Sequence, residues 1–372
     1  MKNNKLNKIN PIPVPTWSWL GVNDISIEDR FTNENIRKIP FSYQWSRESD
    51  FSGILEPMNE DKVKNSIFDT ISYEGIGEKV QGDALEEYNA GFYLETKAGE
   101  KLQDPLCFNL TMTDEQSQVI DNNVIFAKED SEITIIVDYQ SKSSTKAYHN
   151  GLTRIYCEKG STVNYIIIQN LSKESTHLGA CFAKLEEGAR VNYVIVELGA
   201  KESITNVRTD LQGNQSTANM YTVYMGDKER IIDMNYLMNH YGKETKSNME
   251  IKGVLQDQCN KIFKGTLDFK KGAVKSTGAE EEYAVLLSDK VRNRSVPLLL
   301  CTEEDVSGQH AASAGKIDEN HLFYLMTRGF SEAESKKLII EAAFRPIIDR
   351  IPEENIRNAI FEEIRRGLSD AE

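Results

Sequence analysis

Cysteine is sparse in this 372-residue chain and is never paired along it. Cys107, Cys157, Cys181, Cys259 and Cys301 are odd in number and far apart, and no C-x-x-C occurs. This excludes a zinc knuckle, a four-thiolate ferredoxin-type site and a disulfide framework, and it fits a reducing cytoplasm. His149, His177, His240, His310 and His321 form no H-x-x-H or H-E-x-x-H pattern. A zinc-hydrolase helix is therefore unsupported. Also missing are G-x-x-x-x-G-K-[ST], a G-x-G-x-x-G after a strand, and G-x-S-x-G. The chain should not hydrolyse ATP through its own P-loop, bind a dinucleotide in Rossmann fashion or carry a hydrolase elbow. No apolar stretch reaches the roughly 18 residues of a spanning helix. The opening MKNNKLNKIN has three lysines and no acid, without the apolar run of roughly 7–15 residues of a signal peptide. Positive charge is also in deficit, with 44 Lys+Arg against 58 Asp+Glu and a net charge of −14. Nucleic acid and anionic membrane are thus not expected as partners.

Between Asn109 and Val306 helical signals are almost absent, and short strands punctuated by Gly, Asn, Asp and Lys take their place. Within this stretch the sequence repeats. EKGSTVNYIII (Glu158–Ile168) returns as EEGARVNYVIV (Glu186–Val196), and a weaker echo starts at Gly213. Each copy runs from a turn glycine into a β-branched strand. A period of 28 residues with strands in every copy marks a stacked array, in which each coil buries its apolar face on its neighbours. The expected class is mainly β, with a β-helix favoured over a sandwich. Gly160 and Gly188 should occupy equivalent turns, and Asn164 and Asn192 should stack as a ladder.

The chain divides into three parts: 1–95, mixed and partly helical; 96–316, the β core; 317–372, a helical module. In the first part Asp61–Ile71 has helical spacing, and Gly82–Asn89 reads as a short helix. Trp17, Trp19 and Trp45 read as docking residues, since aromatic side chains dominate burial. In the last part Asp318 caps a helix ending at Gly329. Ser331-Glu-Ala-Glu334 is a capping box for a second helix with Leu338, Ile339, Ala342, Ala343, Ile347 and Ile348 on its apolar face. Pro346 should end or kink it near Phe344. Pro352 should lie in the first turn of a third helix that Gly367 closes. Three short helices cannot bury this apolar surface among themselves, so it docks on the β core, captures a partner, or does both.

The stretch Pro297–Glu334 is the most informative. It reads as strand up to about Val306 and as helix from Asp318, with His310 near the seam. Histidine binds metals and titrates near neutral pH, so His310 is the leading candidate ligand. Cys301 precedes it by nine residues and is either a buried inert thiol or a ligand facing an interface. Glu303, Glu304 and Asp305 form either a solvated turn or a transient oxygen site for iron.

From His310 to Glu334 the text follows H-A-x-S/T-x-x-K-I-x-x-x-x-L-F-Y-L-x-x-R-G-[FIL]-S-E-x-E and runs on into a helical tail. This resembles the SufB/SufD family of SUF-system iron–sulfur cluster assembly scaffolds. PVPTWSWLGVND (Pro13–Asp24) also resembles the opening of SufD-type chains. The resemblance implies a right-handed parallel β-helix core flanked by helical parts. SufB-like chains carry an acidic residue after the His and a Cys about 28 residues before it; here those places hold Ala311 and Glu282. The resemblance is therefore to the SufD branch. It implies pairing with a SufB-like subunit through the end of the β-helix and binding of a SufC-like ATPase by the C-terminal helices. A transient iron–sulfur cluster or iron would form at the subunit interface, with His310 as metal ligand and Cys301 beside it. A flavin in the complex is left open. The isolated chain would bind no stable cluster and would be a scaffold rather than an enzyme. The rival readings are a β-helix carbohydrate-active or acyltransfer enzyme, which calls for clustered Asp, Glu, Arg and Lys along the solenoid, and a homodimeric scaffold.

Overall fold

The computed structural model describes residues 5–31, 44–46, 51–59, 73–142 and 144–369. Its centre is a pair of nine-stranded sheets between which the chain alternates. Thr162–Asn170 lies in the first sheet and Thr176–Leu185 in the second. Arg190–Glu197 then returns beside Thr162–Asn170, parallel and with Asn164 opposite Asn192 and Tyr165 opposite Tyr193. The result is a parallel β-solenoid of about eight coils, each roughly the length of the sequence repeat. Gly160 and Gly188 occupy equivalent corners at φ +68° and +65°. That left-handed conformation carries no Cβ penalty in glycine.

Alternation along each strand sends one set of side chains into the lumen and the other outward. In Thr162–Asn170 the lumen receives Val163, Tyr165 and Ile167, while Ile166 and Ile168 face the helical layer. Both faces are covered, so such strands read as near-continuous apolar runs rather than as alternating ones. The Asn ladder is present and longer than expected. Asn164 donates to Thr134 Oγ1 at 3.1 Å, Asn192 to Asn164 at 2.8 Å and Asn219 to Asn192 at 2.9 Å.

Four helices flank the solenoid among the described residues. α1 (Glu78–Glu86) places Val80 and Ala84 against Ile120, Leu152, Leu178 and Ile204 on the second sheet. α2 (Glu319–Thr327) is capped by Asp318, which accepts from the amides of Asn320 and His321. α3 (Glu332–Ile348) starts with the Ser331–Glu334 capping box, and α4 (Glu354–Ser369) follows. α3 and α4 dock on the outer face of the first sheet. Ile340, Phe344, Ile347, Ile360, Phe361 and Ile364 meet Ile166, Ile168, Val194, Val196, Val223 and Met225 there. α2 buries no residue.

Several local expectations are corrected. α3 does not end near Phe344 but runs through Pro346 to Ile348. Phe344, Ile347 and Ile348 are all buried on the sheet, and this packing offsets the ~3 kcal/mol that an interior proline costs. Leu338 is exposed, and the buried stripe is Ile340, Phe344, Ile347 and Ile348. Gly367 lies inside α4 rather than closing it. A Cβ there would come within 2.6 Å of Met225 Cε, so this glycine serves close helix–sheet approach. Pro352 precedes α4 instead of entering its first turn. α1 begins at Glu78, ahead of the expected Gly82.

Trp17 and Trp19 are 74% and 78% exposed, not docked. Polar groups anchor their segment instead. The buried Asn10 donates to Asp233 at 2.6 Å, and Lys264 donates to the Asn10 carbonyl at 2.8 Å. The expected helix Asp61–Ile71 and the side chain of Trp45 lie outside the described residues.

Candidate functional site

The last coil consists of Arg292–Cys301 and Val306–Gly315, and among the described residues no further strand pairs with either. Register fixes which of their side chains face the lumen. Pro297, Leu299 and Cys301 continue the rows of Gly265, Leu267 and Phe269. Gly308, His310 and Ala312 continue those of Gly278, Glu280 and Glu282. Arg294 donates to the Gly21 carbonyl at 2.7 Å, but the lumenal residues of this coil are partly or fully exposed among the described residues. Among the described residues the solenoid therefore ends in an open mouth with two unpaired strand edges.

His310 stands in that mouth, exposed and directly above Glu280. It is not at a strand-to-helix seam, because the final strand continues to Gly315. The run AASAG that follows His310 has small side chains, and partnership with Ser276–Leu286 rather than side-chain pattern keeps it extended. Cys301 closes the preceding strand, is exposed, and donates its thiol to the Glu303 carbonyl. The turn 302–305 joins it to Val306, and His310 lies about 13 Å of strand rise farther on. Both expected residues are thus at the open end, without contact between them. In the acidic turn the Glu303 carboxylate is taken up by the backbone. Glu303 accepts from the amides of Gly272 and Glu304 at 2.9 Å, and such backbone donors hold its carboxyl below the usual range.

Just inside the mouth, two lumenal carboxyls sit in contrasting surroundings. Glu282 is saturated: it pairs with the buried Lys261 and accepts from Tyr224 at 2.9 Å and Ser295 at 2.5 Å. Burial draws the Lys261 ammonium below its ordinary value while Glu282 opposes the shift. Glu280 is 3% exposed, and among the described residues neither carboxyl oxygen has a hydrogen-bond partner. Burial, with the neighbouring Glu282 adding to it, pushes its carboxyl up to about 8. Its carboxyl group lies against Gly265 on the opposite sheet, where a Cβ would come within 2.3 Å of Glu280 Cδ.

The repeat also holds residues that motif reading passed over. His149 and His177 form no local motif, yet their Nδ1 atoms are 2.8 Å apart inside the lumen. His149 Nε2 donates to Asp121 at 2.5 Å, and Asp121 also accepts from Tyr139 at 2.9 Å. The positions 121, 149 and 177 are spaced by 28 each, the period already visible in the text. His149, His177 and Tyr139 line a lumenal cavity of about 30 Å³ together with Glu197, whose carboxyl burial pushes up to about 7. A polar cluster of His, Asp, Tyr and Glu therefore exists mid-solenoid. All of it is buried, with room for only a water or two. No group of three or more His, Cys, Asp or Glu among the described residues is arranged to hold a metal.

The family model for "SUF system FeS cluster assembly, SufBD core domain" matches residues 110–343, well over half of the chain. The chain belongs to this family. It is 25% identical to the iron–sulfur cluster assembly protein SufD of Bacillus subtilis over 282 residues, 75% of this chain and 64% of that protein. An iron–sulfur cluster assembly SufBD family protein of Pyrococcus horikoshii is 28% identical over 267 residues, covering 71% and 59%. SufD of Plasmodium berghei is 23% identical over 244 residues, covering 65% and 18%. The SufD matches and the SufBD core together place the chain on the SufD branch. The chain spans about 60% of the length of the Bacillus and Pyrococcus relatives. Among the described residues no helix is long and apolar enough to cross a membrane.

Proposed function

We propose that this chain is a SufD-like scaffold subunit of the SUF iron–sulfur assembly complex, working in the cytoplasm and without catalysis of its own. It would pair with a SufB-like subunit through the open end of the solenoid. His310 would meet the nascent cluster there, with Cys301 at the margin of the same surface. The α2–α4 module, following the β core as a separate functional part, would hold a SufC-like ATPase whose cycle opens the interface.

The observation that carries this reading is the uncovered last coil. Two ten-residue strands with free edges invite unwanted pairing unless a partner covers them, and addition of a strand from a partner is an established mode of recognition. His310 sits in the middle of one of these edge strands. Two imidazole- or thiolate-bearing residues from one chain cannot enclose a cluster, which favours four soft ligands. A second chain must supply the rest.

The test is to purify the chain alone and with SufB-like and SufC-like proteins, and to measure iron, sulfide and ATPase activity on each. Iron and sulfide confined to the complex are expected. A stoichiometric chromophoric cluster on the isolated chain, or failure to bind a SufB-like protein, would overturn the proposal.

A further inference from the structure

We propose that Glu280 is an oxygen ligand that joins His310 in binding a divalent cation, such as ferrous iron, at the mouth of the solenoid. The inference deepens the reading above and rests on it for the identity of the cation, though not for the existence of the site.

Three observations carry it. First, Glu280 and His310 are register partners on adjacent coils and face the same side. Their Cα atoms are therefore about 4.8 Å apart, close enough for a carboxylate and an imidazole to share one ion. Second, Glu280 is buried with both oxygens unpartnered among the described residues. Buried polar groups are nearly always hydrogen-bonded, and an orphan calls for a missing partner. Its neighbour Glu282 shows what satisfaction looks like here, with an ammonium and two hydroxyls on its carboxylate. The lumen thus supplies donors to one carboxylate and withholds them from the other. Third, the carboxyl of Glu280 occupies a gap that a glycine on the opposite sheet leaves for it. Gly265 faces it where any side chain would collide. Above it, Gly308 and Ala312 flank His310 with minimal bulk. Bringing its oxygens to the imidazole requires rotation of the Glu280 side chain away from Gly265 and toward the mouth.

The donor pair suits ferrous iron: a nitrogen and a hard oxygen, with the remaining positions left to water or to whatever abuts the open end. Cys301 is too far along the chain to complete this set. The pair would thus act on iron before sulfide is present, and a thiolate-rich partner would take the ion over as the cluster forms.

The test uses cobalt(II) as a spectroscopic stand-in, titrated anaerobically into the full-length chain, with calorimetry in parallel. Wild type is expected to bind one ion, with a visible ligand-field band. Glu280→Gln and His310→Ala should each weaken binding about tenfold or more, at least the loss that removing an outer-sphere partner causes. Glu280→Gln keeps shape and polarity, so it should melt no lower than wild type. Cobalt affinity in Glu280→Gln equal to wild type, with His310→Ala impaired, would overturn the role of Glu280 and leave the scaffold reading standing. Loss of cobalt binding in both variants alongside full cluster assembly by both in the reconstituted complex would support the site but sink the scaffold reading of His310. If Glu280→Gln fails to fold, Glu280→Asp, one methylene shorter, provides the same comparison.

Discussion

Asn192 donates from its side-chain amide to the side-chain oxygen of Asn164 on the preceding coil, at 2.8 Å. It also accepts from Asn219 on the next coil at 2.9 Å, so it is the central rung of the ladder. Asn192→Ala removes both bonds and leaves a donor on one side and an acceptor on the other unmatched. The expected cost is about 1–2 kcal/mol in chemical denaturation. Asn219→Ala removes one bond of the three and should cost less. Equal losses, or none, would show that solvent satisfies the rungs and that the ladder adds nothing.

The ladder and the two corner glycines were legible because the repeat is strong where side chains face the same environment in every coil. The lumen was harder to read. Its polar residues follow the same 28-residue spacing at Asp121, His149 and His177 but form no local motif within any one coil, so motif reading misses them. The last coil was misjudged for a related reason. AASAG carries no strand propensity of its own, and pairing with the coil beneath imposes its conformation. Trp17 and Trp19 reversed the usual expectation because their segment is anchored by Asn10, one small polar residue whose partners lie more than 190 residues away in sequence. Pro346 does not end its helix because burial of the residues around it outweighs the local rule.

Glu197 gives the fold a pH-dependent component. Its carboxyl is pushed up to about 7 by burial, against favourable bonds from Ser203 and Gln169 and the charge of Arg230. With a folded value above the unfolded one, the native state binds the extra proton. This contribution is full below the unfolded value of ~4.3 and is lost as pH rises toward 7. Glu197→Gln should therefore match or fall below wild type at pH 4.5. Relative to wild type it should gain on the order of 3 kcal/mol at most by pH 8. Urea midpoints at the two pH values measure this. A difference that does not change with pH would show that Glu197 is ionised throughout.

Lys261 and Glu282 form a buried ion pair, both fully enclosed. Lys261→Met leaves the Glu282 carboxylate uncompensated, with only Tyr224 and Ser295 as donors. The expected loss is about 3–5 kcal/mol. The double variant Lys261→Met, Glu282→Leu removes both charges and should recover most of that. Denaturation of the two variants decides the matter. A double variant as unstable as the single one would mean that Glu282 serves the fold through its hydroxyl partners rather than through the charge pair.

His310 is exposed on an edge strand, so its removal should barely disturb folding. His310→Ala should shift the melting temperature by about 2 °C or less, as for other surface positions. In the complex it should abolish or strongly reduce cluster assembly. Cys301→Ser is expected to be the milder variant, because its thiol is engaged with the Glu303 carbonyl and stands well along the strand from the imidazole. A large drop in melting temperature for His310→Ala, or full assembly activity, would return His310 to a structural role.

α2 offers a final discriminating measurement. α3 and α4 bury their apolar stripes on the first sheet, and removing them would uncover Ile166, Ile168, Val194 and Val196. Truncation of the whole tail would therefore confound folding with partner capture. α2 is different: it buries no residue, and Phe323 is 69% exposed and Tyr324 55%, with Phe330 beyond its end 42% exposed. Aromatic side chains of this kind anchor interfaces when they are presented together. Phe323→Ser combined with Phe330→Ser should leave the melting temperature within about 2 °C of wild type, since neither ring contributes to a buried cluster. If the helical tail holds the ATPase through α2, the double variant should lose capture of a SufC-like protein while still pairing with a SufB-like one. Retained capture of the ATPase would move that contact to the outer faces of α3 and α4. Loss of the SufB-like partner instead would assign α2 to the open end of the solenoid, from whose last strand it directly follows.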